Sequence, residues 1–557
     1  MRFLVFSALV ISALFPGSIV FATPPSLSFT DVAKSSGIRF RHNFGANNLE
    51  NVLMTTGSGC ALFDYDNDGW LDALLINGTY LDKTGVPVSD GATHHALFHN
   101  RGDGTFEDVT RVAGFGEPSY GQGCALGDFD GDGRTDVYMT NYGPNRLYRN
   151  RGDGTFEDVT KKSGTGDPRW GGGAVFFDFD ADGDLDLFAS NYLKFRPDMK
   201  GVKASALSKR TGFRFFPGPR DYEPETDVLF RNNGDGTFTE VSAAVGIDLE
   251  GRGLTAVAVD FDNDGDQDLF VANDRSPNFL YRNDSGTFAD IALEAGVAYD
   301  PDGVETAGMG IAVADLDNDG LQDLYVTNML FEFNNMYMNQ GEMLFLDMTK
   351  SLGLDEDNFR HVSWATCFLD FNHDGHLDCF VANGHLVDYI EGFSQSITYA
   401  QRNMLFLGDD SGHFTDRAND FGKHFTRKRV SRGAAFGDVD NDGDIDILVN
   451  NSGEAAQLLQ NDLPPNDRWL GIRLRGQPPN THGIGAKVVV LIGDQSVHRE
   501  VLFGPSYLSG SDSAIHLGLP KGGMEAEVEV FWPSGRKSKQ TVLAGRVSLI
   551  EEPVESN

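Results

Sequence analysis

Apolar residues in this chain come in short runs, separated by stretches rich in Gly, Asp, Asn and Ser. Runs of that length bounded by turn formers read as β-strands. In the first clear unit, Gly59-Cys60-Ala61-Leu62-Phe63 is a strand of small and apolar residues, Ala73 to Ile76 a second, Ala96-Leu97-Phe98-His99 a third, and Thr105 to Thr110 a fourth. Between the last two lies Asn100-Arg101-Gly102-Asp103-Gly104-Thr105, where Asp-Gly favours a type I′ hairpin turn. The fourth strand opens on Phe106-Glu107-Asp108-Val109 and recurs from Phe156, Phe238, Phe288, Phe345 and Phe414. An isolated early copy, Phe29-Thr30-Asp31-Val32, precedes the first unit without a hairpin before it. Four short strands repeating every ~50 to 80 residues are the signature of a propeller blade. The third strand occurs seven times, ending with Gln457 to Gln460, and no fourth strand follows that last copy. The orphan Phe29 to Val32 can supply it, which joins the ends of the ring in one blade and leaves no open edge at the seam. The pattern predicts an all-β chain with a seven-bladed β-propeller over residues 23–461.

Beyond a turn-rich linker at 462–467, Asp462-Leu463-Pro464-Pro465-Asn466-Asp467, alternation replaces the repeat. Strands are predicted at Trp469 to Leu474, Ala486 to Ile492, Val497 to Phe503, Ala514 to Leu519, Glu525 to Trp532, Thr541 to Val542 and Val547 to Ile550. They imply a small β-sandwich over 468–557.

The turn between the first two strands of each unit carries the chemistry. Asp64-Tyr65-Asp66-Asn67-Asp68-Gly69-Trp70-Leu71-Asp72 places carboxylates at positions 1, 3, 5 and 9, Asp64, Asp66, Asp68 and Asp72, with glycine at position 6. The loop returns with Asp128, Asp130, Asp132 and Asp136, then with Asp178, Asp180, Asp182 and Asp186, and with Asp260, Asp262, Asp264 and Asp268. Further copies hold Asp315, Asp317, Asp319 and Asp323, then Asp370, Asn372, Asp374 and Asp378, and last Asp438, Asp440, Asp442 and Asp446. Carboxylates crowded within ~4 Å repel by several kcal/mol per pair at an effective dielectric of ~20, so a compact loop calls for a cation. All-oxygen donors on a flexible loop favour a hard divalent ion, calcium before magnesium. The opening half reads like an EF-hand, but position 12 is apolar in every copy, Leu75 in the first, so position 9 must close the site. About seven calcium ions are expected.

The formal net charge of −37 is set largely by these loops and argues against nucleic acid or anionic membrane as a partner. Met1 to Ala22 reads as a secretory signal peptide, with Arg2, an apolar run to Phe15 and Val20-Phe21-Ala22 before the cleavage point. Export would place the protein outside the cytoplasm, where calcium is plentiful, and no later apolar run is long enough for a transmembrane segment. Cys60 and Cys124 stand four residues before their loops, where a small buried residue is wanted. Cys367 and Cys379 flank one loop on paired strands and raise the possibility of a disulfide.

The repeat, a small-residue strand, then DxDxDGxxD, then LYRN and GDGTFxDV elements, resembles the FG-GAP or VCBS repeats of integrin-alpha-type propellers. The C-terminal motifs Gly483-Ile484-Gly485-Ala486, Tyr507-Leu508-Ser509-Gly510-Ser511-Asp512, His516-Leu517-Gly518-Leu519 and Trp532-Pro533-Ser534-Gly535 are similar to the ASPIC and UnbV domain. Together they resemble the cartilage acidic protein family and its bacterial relatives, which more often carry Arg at the place of His482. The resemblance implies a calcium-loaded propeller and gives no chemistry for the C-terminal domain.

Because each acidic loop joins first and second strands, all seven belong on one face, and ligand recognition is expected on the other. An insertion at Tyr192 to Asp227, basic and aromatic and including Arg214 and Arg220, should reach that face, as should loops Gly78 to Thr93 and Gly384 to Arg402. Tyr120, Arg169, Trp170, Arg252, His361, Trp364 and Arg432, just before first strands, complete a candidate ligand face for a glycan or protein, although packing suits Trp170 and Trp364 as well. The insertion can equally be a cover whose cations offset neighbouring carboxylates. The asparagines five residues after each loop, such as Asn141 and Asn273, either ring a channel or close turns. The Arg-Gly-Asp triplets at Arg101 and Arg151 are hairpin turns. No nucleophile motif, phosphate loop or histidine metal cluster appears, so the reading is a non-enzymatic binding or adhesion module. The alternative is a polysaccharide lyase or hydrolase using His94, His95, His361 and His385, or Arg220 and Tyr222, over that same face.

Overall fold

The computed structural model describes residues 27–88, 93–197, 216–355, 358–493, 495–519 and 525–554. The predicted signal peptide and Arg214 lie outside the described residues. Each acidic loop sits at the bend of an antiparallel hairpin, as where Cys60–Phe63 pairs with Asp72–Leu75 in register Phe63↔Asp72. A third and a fourth strand add outward, so that every loop belongs to one four-stranded antiparallel ladder. We number the sheets 1 to 7 by the order of their loops. In sheet 7 the fourth strand is Phe29–Asp31, paired with Gln457–Asn461 from the far end of the repeat region in register Phe29↔Asn461.

The first strands touch one another in ring order, sheet 1 against 2 and so on to sheet 7 against 1, which makes the assembly a β-propeller. Apolar residues fill wedges between neighbouring sheets, because each sheet face alternates outward from a shared seam. In the wedge between sheets 1 and 2, Phe156 packs between Tyr65 and Phe115 with ring centroids 6.0 and 4.9 Å away. Cys60 and Cys124 are buried free thiols on first strands. Cys367 and Cys379 are also free, which removes the disulfide. Cys367 pairs with Phe380, so Cys379 projects to the opposite side of the sheet and packs in a different wedge.

The C-terminal strands form a three-stranded sheet and a four-stranded sheet. Trp469–Arg475 lies between Ile515–Gly518 and Val547–Glu551, and Lys487–Ile492 lies between Gln495–Glu500 and Glu525–Phe531. One segment of this region leaves the sandwich. Pro505–Ser506 and Ser509–Gly510 form a tight hairpin that joins sheet 1, with Gly510 paired in parallel to Ala61. At its tip Leu508 accepts the backbone N–H of Cys124, and Ser506 and Ser511 accept those of Thr366 and Phe436. Its bonds therefore reach first strands of sheets 1, 2, 6 and 7, and the hairpin plugs the middle of the ring. Gly59 permits this approach, since a Cβ there would stand 1.7 Å from the Leu508 carbonyl oxygen.

Candidate metal centres and the opposite mouth

The acidic loops share one construction. In six of the seven the position-1 carboxylate accepts the backbone N–H groups of positions 5 and 6, at 3.1 and 2.9 Å where Asp68 and Gly69 donate to Asp64, and in the fourth Asp264 donates to Asp262 while Gly265 donates to Asp260. Position 6 is a glycine at positive φ in every copy, 89° at Gly69, which is what a loop turning back on its own carboxylate requires. The position-9 carboxylate is buried and spans two strands. Asp72 accepts the N–H of Tyr65 on one oxygen and that of Asn100 on the other, and each later sheet repeats the pair. Burial outweighs these bonds and pushes Asp72 and Asp268 up to about 8 and Asp186 to about 9.

Side-chain oxygens of Asp128, Asp130 and Asp136 lie within 4.8 Å of one another, as do those of Asp178, Asp180 and Asp186 and of Asp260, Asp262 and Asp268. One oxygen each of Asp66, Asp130, Asp180 and Asp440, all at position 3, and of Asp260 is buried without a hydrogen-bond partner. A carboxylate oxygen buried in that state is costly unless a cation compensates it, so this all-oxygen donor set fits a hard divalent cation.

An asparagine that closes the third strand, unremarked in the sequence pattern, joins the sheets. Asn150 donates its N–H to Asp136 and its amide to the Tyr65 carbonyl of the preceding loop at 2.7 Å. Asn100, Asn232, Asn283, Asn339 and Asn461 make the same bridge, Asn100 across the seam from sheet 1 to sheet 7. In sheet 6 the position is Gly408. The other asparagine series closes turns: Asn141 donates to the Pro144 carbonyl and Asn273 to that of Pro277.

The C-terminal domain rests on the loop face. Lys487 pairs with Asp260 at 2.5 Å, Thr481 donates to Asp128, and His516 donates to the Gly443 carbonyl at 2.7 Å. A Cβ on Gly518 would stand 1.8 Å from an oxygen of Asp370, so only glycine fits there. His482 lies 3.3 Å from the Thr135 hydroxyl.

On the opposite face the candidate ligand residues divide. Tyr120, Trp170, Trp364 and Arg432 are not exposed, which takes Tyr120 and Arg432 out of the expected recognition ring and agrees with the packing role expected of Trp170 and Trp364. First strands run further than the sequence pattern indicated, to Tyr120–Gly127 and Ser363–Leu369, and draw these side chains into the packing. Trp170 packs edge-on against Tyr142 and Tyr192. Arg432, 1% exposed, donates to the carbonyls of Thr55, Gly384, Ser431 and His385 and lies 4.0 Å from the Trp364 ring centre. Trp364 in turn packs on Tyr507 of the plug. Arg169 is held by Asp167 and Thr226, and Arg252 by Ser276 and the Tyr222 carbonyl. Arg220 is exposed and paired with Glu305, and Lys194 with Glu250, so the described part of the insertion behaves as a cover. His361 is partly exposed near the start of Ser363–Leu369. His95 and His385 are buried and accept the backbone N–H groups of Asn77 and Val387, and burial lowers their basicity to about 3 and about 4.

A cavity of about 210 Å³ opens at this mouth. Leu254, Met309, Met329 and Leu386 give it apolar walls, with Trp364, Tyr192 and Tyr389 around them and Phe216 and Pro219 of the insertion at its edge. Its polar lining comprises Thr55, Thr56, Arg275 and Asp274, and Asp274 accepts the Tyr192 hydroxyl and is raised by burial to about 6.

Comparison with known proteins follows the same division of the chain. A family model described as "FG-GAP-like repeat" matches residues 64–139, 128–189, 221–271, 260–326 and 370–449, together more than half of the chain. One described as "ASPIC and UnbV" matches 476–556. Cartilage acidic protein 1 of Xenopus tropicalis is 27% identical over 331 residues, 56% of this chain and 46% of that protein. The human protein of that name is 32% identical over 214 residues, 34% of this chain and 26% of that protein. The chain thus spans less than half the length of the curated relatives it matches. Among solved structures, an Agrocybe aegerita lectin described as recognising non-reducing terminal N-acetylglucosamine aligns with a TM-score of 0.37 and 16% identity, over 73% of this chain and 94% of that one. YCF48 from Cyanidioschyzon merolae aligns with a TM-score of 0.36 and 10% identity, over 72% and 96%.

Proposed function

The chain belongs to the FG-GAP-like repeat family, in the branch that carries an ASPIC and UnbV domain and includes cartilage acidic protein 1, and from that premise we propose that it is an exported, calcium-loaded binding module. The ions belong to the acidic loops, where position-1 and position-3 carboxylates supply the oxygens and position 9 closes each site. Calcium there neutralises repulsion between carboxylates and fixes the hairpin bend. Seven sites at ten times their dissociation constant would add about 10 kcal/mol in total, comparable to the whole stability of a domain.

The observation that carries the assignment of a ligand face is the seating of the C-terminal domain. It rests on the loop side and fills the ring with its 505–510 hairpin, so a concave surface on the face away from the loops is the cavity at the opposite mouth. Glycan or protein ligands suit that cavity, whose apolar and aromatic walls surround one carboxylate. A glycan array read together with a polysaccharide-digestion assay tests the reading. Retention of a glycan without shortening of any polysaccharide is the expected result, and shortening of a substrate would replace binding with the carbohydrate-active alternative.

A further inference from the structure

The seam between sheets 5 and 6 differs from the other six. Gly408 stands where the rest carry a bridging asparagine, so no side chain ties these two sheets at that level. One residue earlier in the third strand, the other sheets present His99, Arg149, Arg231, Arg282 and Gln460 towards their loops, and His99 and Arg149 reach Asp66 and Asp130. Sheets 5 and 6 present Met338 and Leu407. In the fourth strand of sheet 5, Leu346 takes the place of Glu107 and Glu157 and is 53% exposed. These changes accompany a cavity of about 340 Å³ that runs from the rim inward beneath the C-terminal domain. Met338, Leu346, Met348, Leu352 and Phe414 line its outer part.

Arg499 lines its inner end, on a strand of the C-terminal domain. It donates a hydrogen bond to the neighbouring His498 carbonyl, and among the described residues no carboxylate stands within ion-pair distance of it. The charges facing it are Asp315 and Asp370, the position-1 groups of the fifth and sixth loops. A divalent cation in each loop offsets part of that negative charge, a step that rests on the calcium reading above, and leaves Arg499 without an ion-pair partner at the inner end of a cleft whose remaining carboxylates include Asp409.

We propose that the cleft between sheets 5 and 6 binds an amphiphilic carboxylate, with its aliphatic body against Met338, Leu346, Met348 and Phe414 and its anionic head on Arg499. A guanidinium in a partly desolvated site recognises a carboxylate by charge-assisted hydrogen bonds, and methionine and leucine walls accept a flexible chain. The test is calorimetric titration of the full chain with decanoate and with decanol in calcium buffer, after a calcium titration of the same preparation. Saturable decanoate binding at one site is expected. Arg499→Gln should weaken decanoate by roughly tenfold to a hundredfold, the scale of a hydrogen bond to a charged group, and leave decanol unchanged. Leu346→Glu, which installs the residue sheets 1 and 2 already carry there, should weaken both. No saturable decanoate binding to calcium-loaded protein, or equal affinity in wild type and both variants, overturns the assignment. Absence of calcium uptake in the first titration would instead locate the failure in the loop reading, and Arg499→Gln would then leave decanoate unaffected.

Discussion

Gly69 holds φ at 89°, and a methyl group built on it meets nothing within 4 Å, so Gly69→Ala reads out backbone strain alone. A loss of about 1 kcal/mol in denaturant unfolding is expected, with lower cation affinity at that loop. Asn150 works differently, because its amide satisfies the carbonyls of Tyr65 and Thr135 inside a closed seam. Asn150→Ala leaves both unpaired and should cost about 2 kcal/mol by the same measurement. The buried acids set a pH dependence. Carboxyls such as Asp72 and Asp186 hold protons up to about 8 and about 9, against 3.8 in the unfolded chain. Stability of the chelated protein should therefore fall as pH rises from about 4 towards about 8, because the folded state gives up its protons last. His42, His95 and His516, lowered from 6.5 to about 3 by burial, act oppositely and remove stability as pH falls through that interval. Melting of the chelated protein across this range should show a maximum between the two effects, and bound calcium should flatten the alkaline arm, since the ion takes the place of the protons. A melting temperature that rises steadily to pH 9 without calcium would contradict the burial account.

At the scale of elements, the hairpin at 505–510 couples the two halves of the chain. Tyr507 packs on Trp364 and donates to the Thr56 carbonyl at 3.1 Å in the middle of the ring. Tyr507→Ala should cost about 3–5 kcal/mol, and Tyr507→Phe about 1 kcal/mol, in denaturant midpoints. The repeating strands were legible because each is defined by neighbours within a few residues, and the closing strand at Phe29 because counting left one third strand without a fourth. The plug was not legible. Its partners Ala61 and Thr366 lie far away in sequence, and Tyr507 to Gly510 reads locally as one more short apolar stretch of the sandwich. The same blindness to distant contacts placed Tyr120 and Arg432 at an open mouth, when long first strands and the plug enclose them. The free thiols of Cys367 and Cys379 follow from strand register, which spacing alone does not give, and both should be recovered unlinked in a non-reducing digest.

For the whole molecule, the division of faces organises everything else. Loops and C-terminal domain share one side, where Lys487, Thr481 and Gly518 meet position-1 aspartates, so that domain docks on the same carboxylates to which the proposal assigns the ions. The acidic loops were legible in the sequence as hairpin bends because their carboxylates fall within nine residues. Their neighbours from the C-terminal domain, roughly 150 to 350 residues on, were not. No helix among the described residues is long and apolar enough to cross a membrane. The central claim is that the repeated loops hold ions that fasten this ring, and the most direct measurement is calcium content with thermal unfolding, before and after chelation. About seven ions per chain and a sharp drop in melting temperature on chelation are predicted from the repeat and its linkage to folding. One ion or none, with melting unchanged, would contradict it.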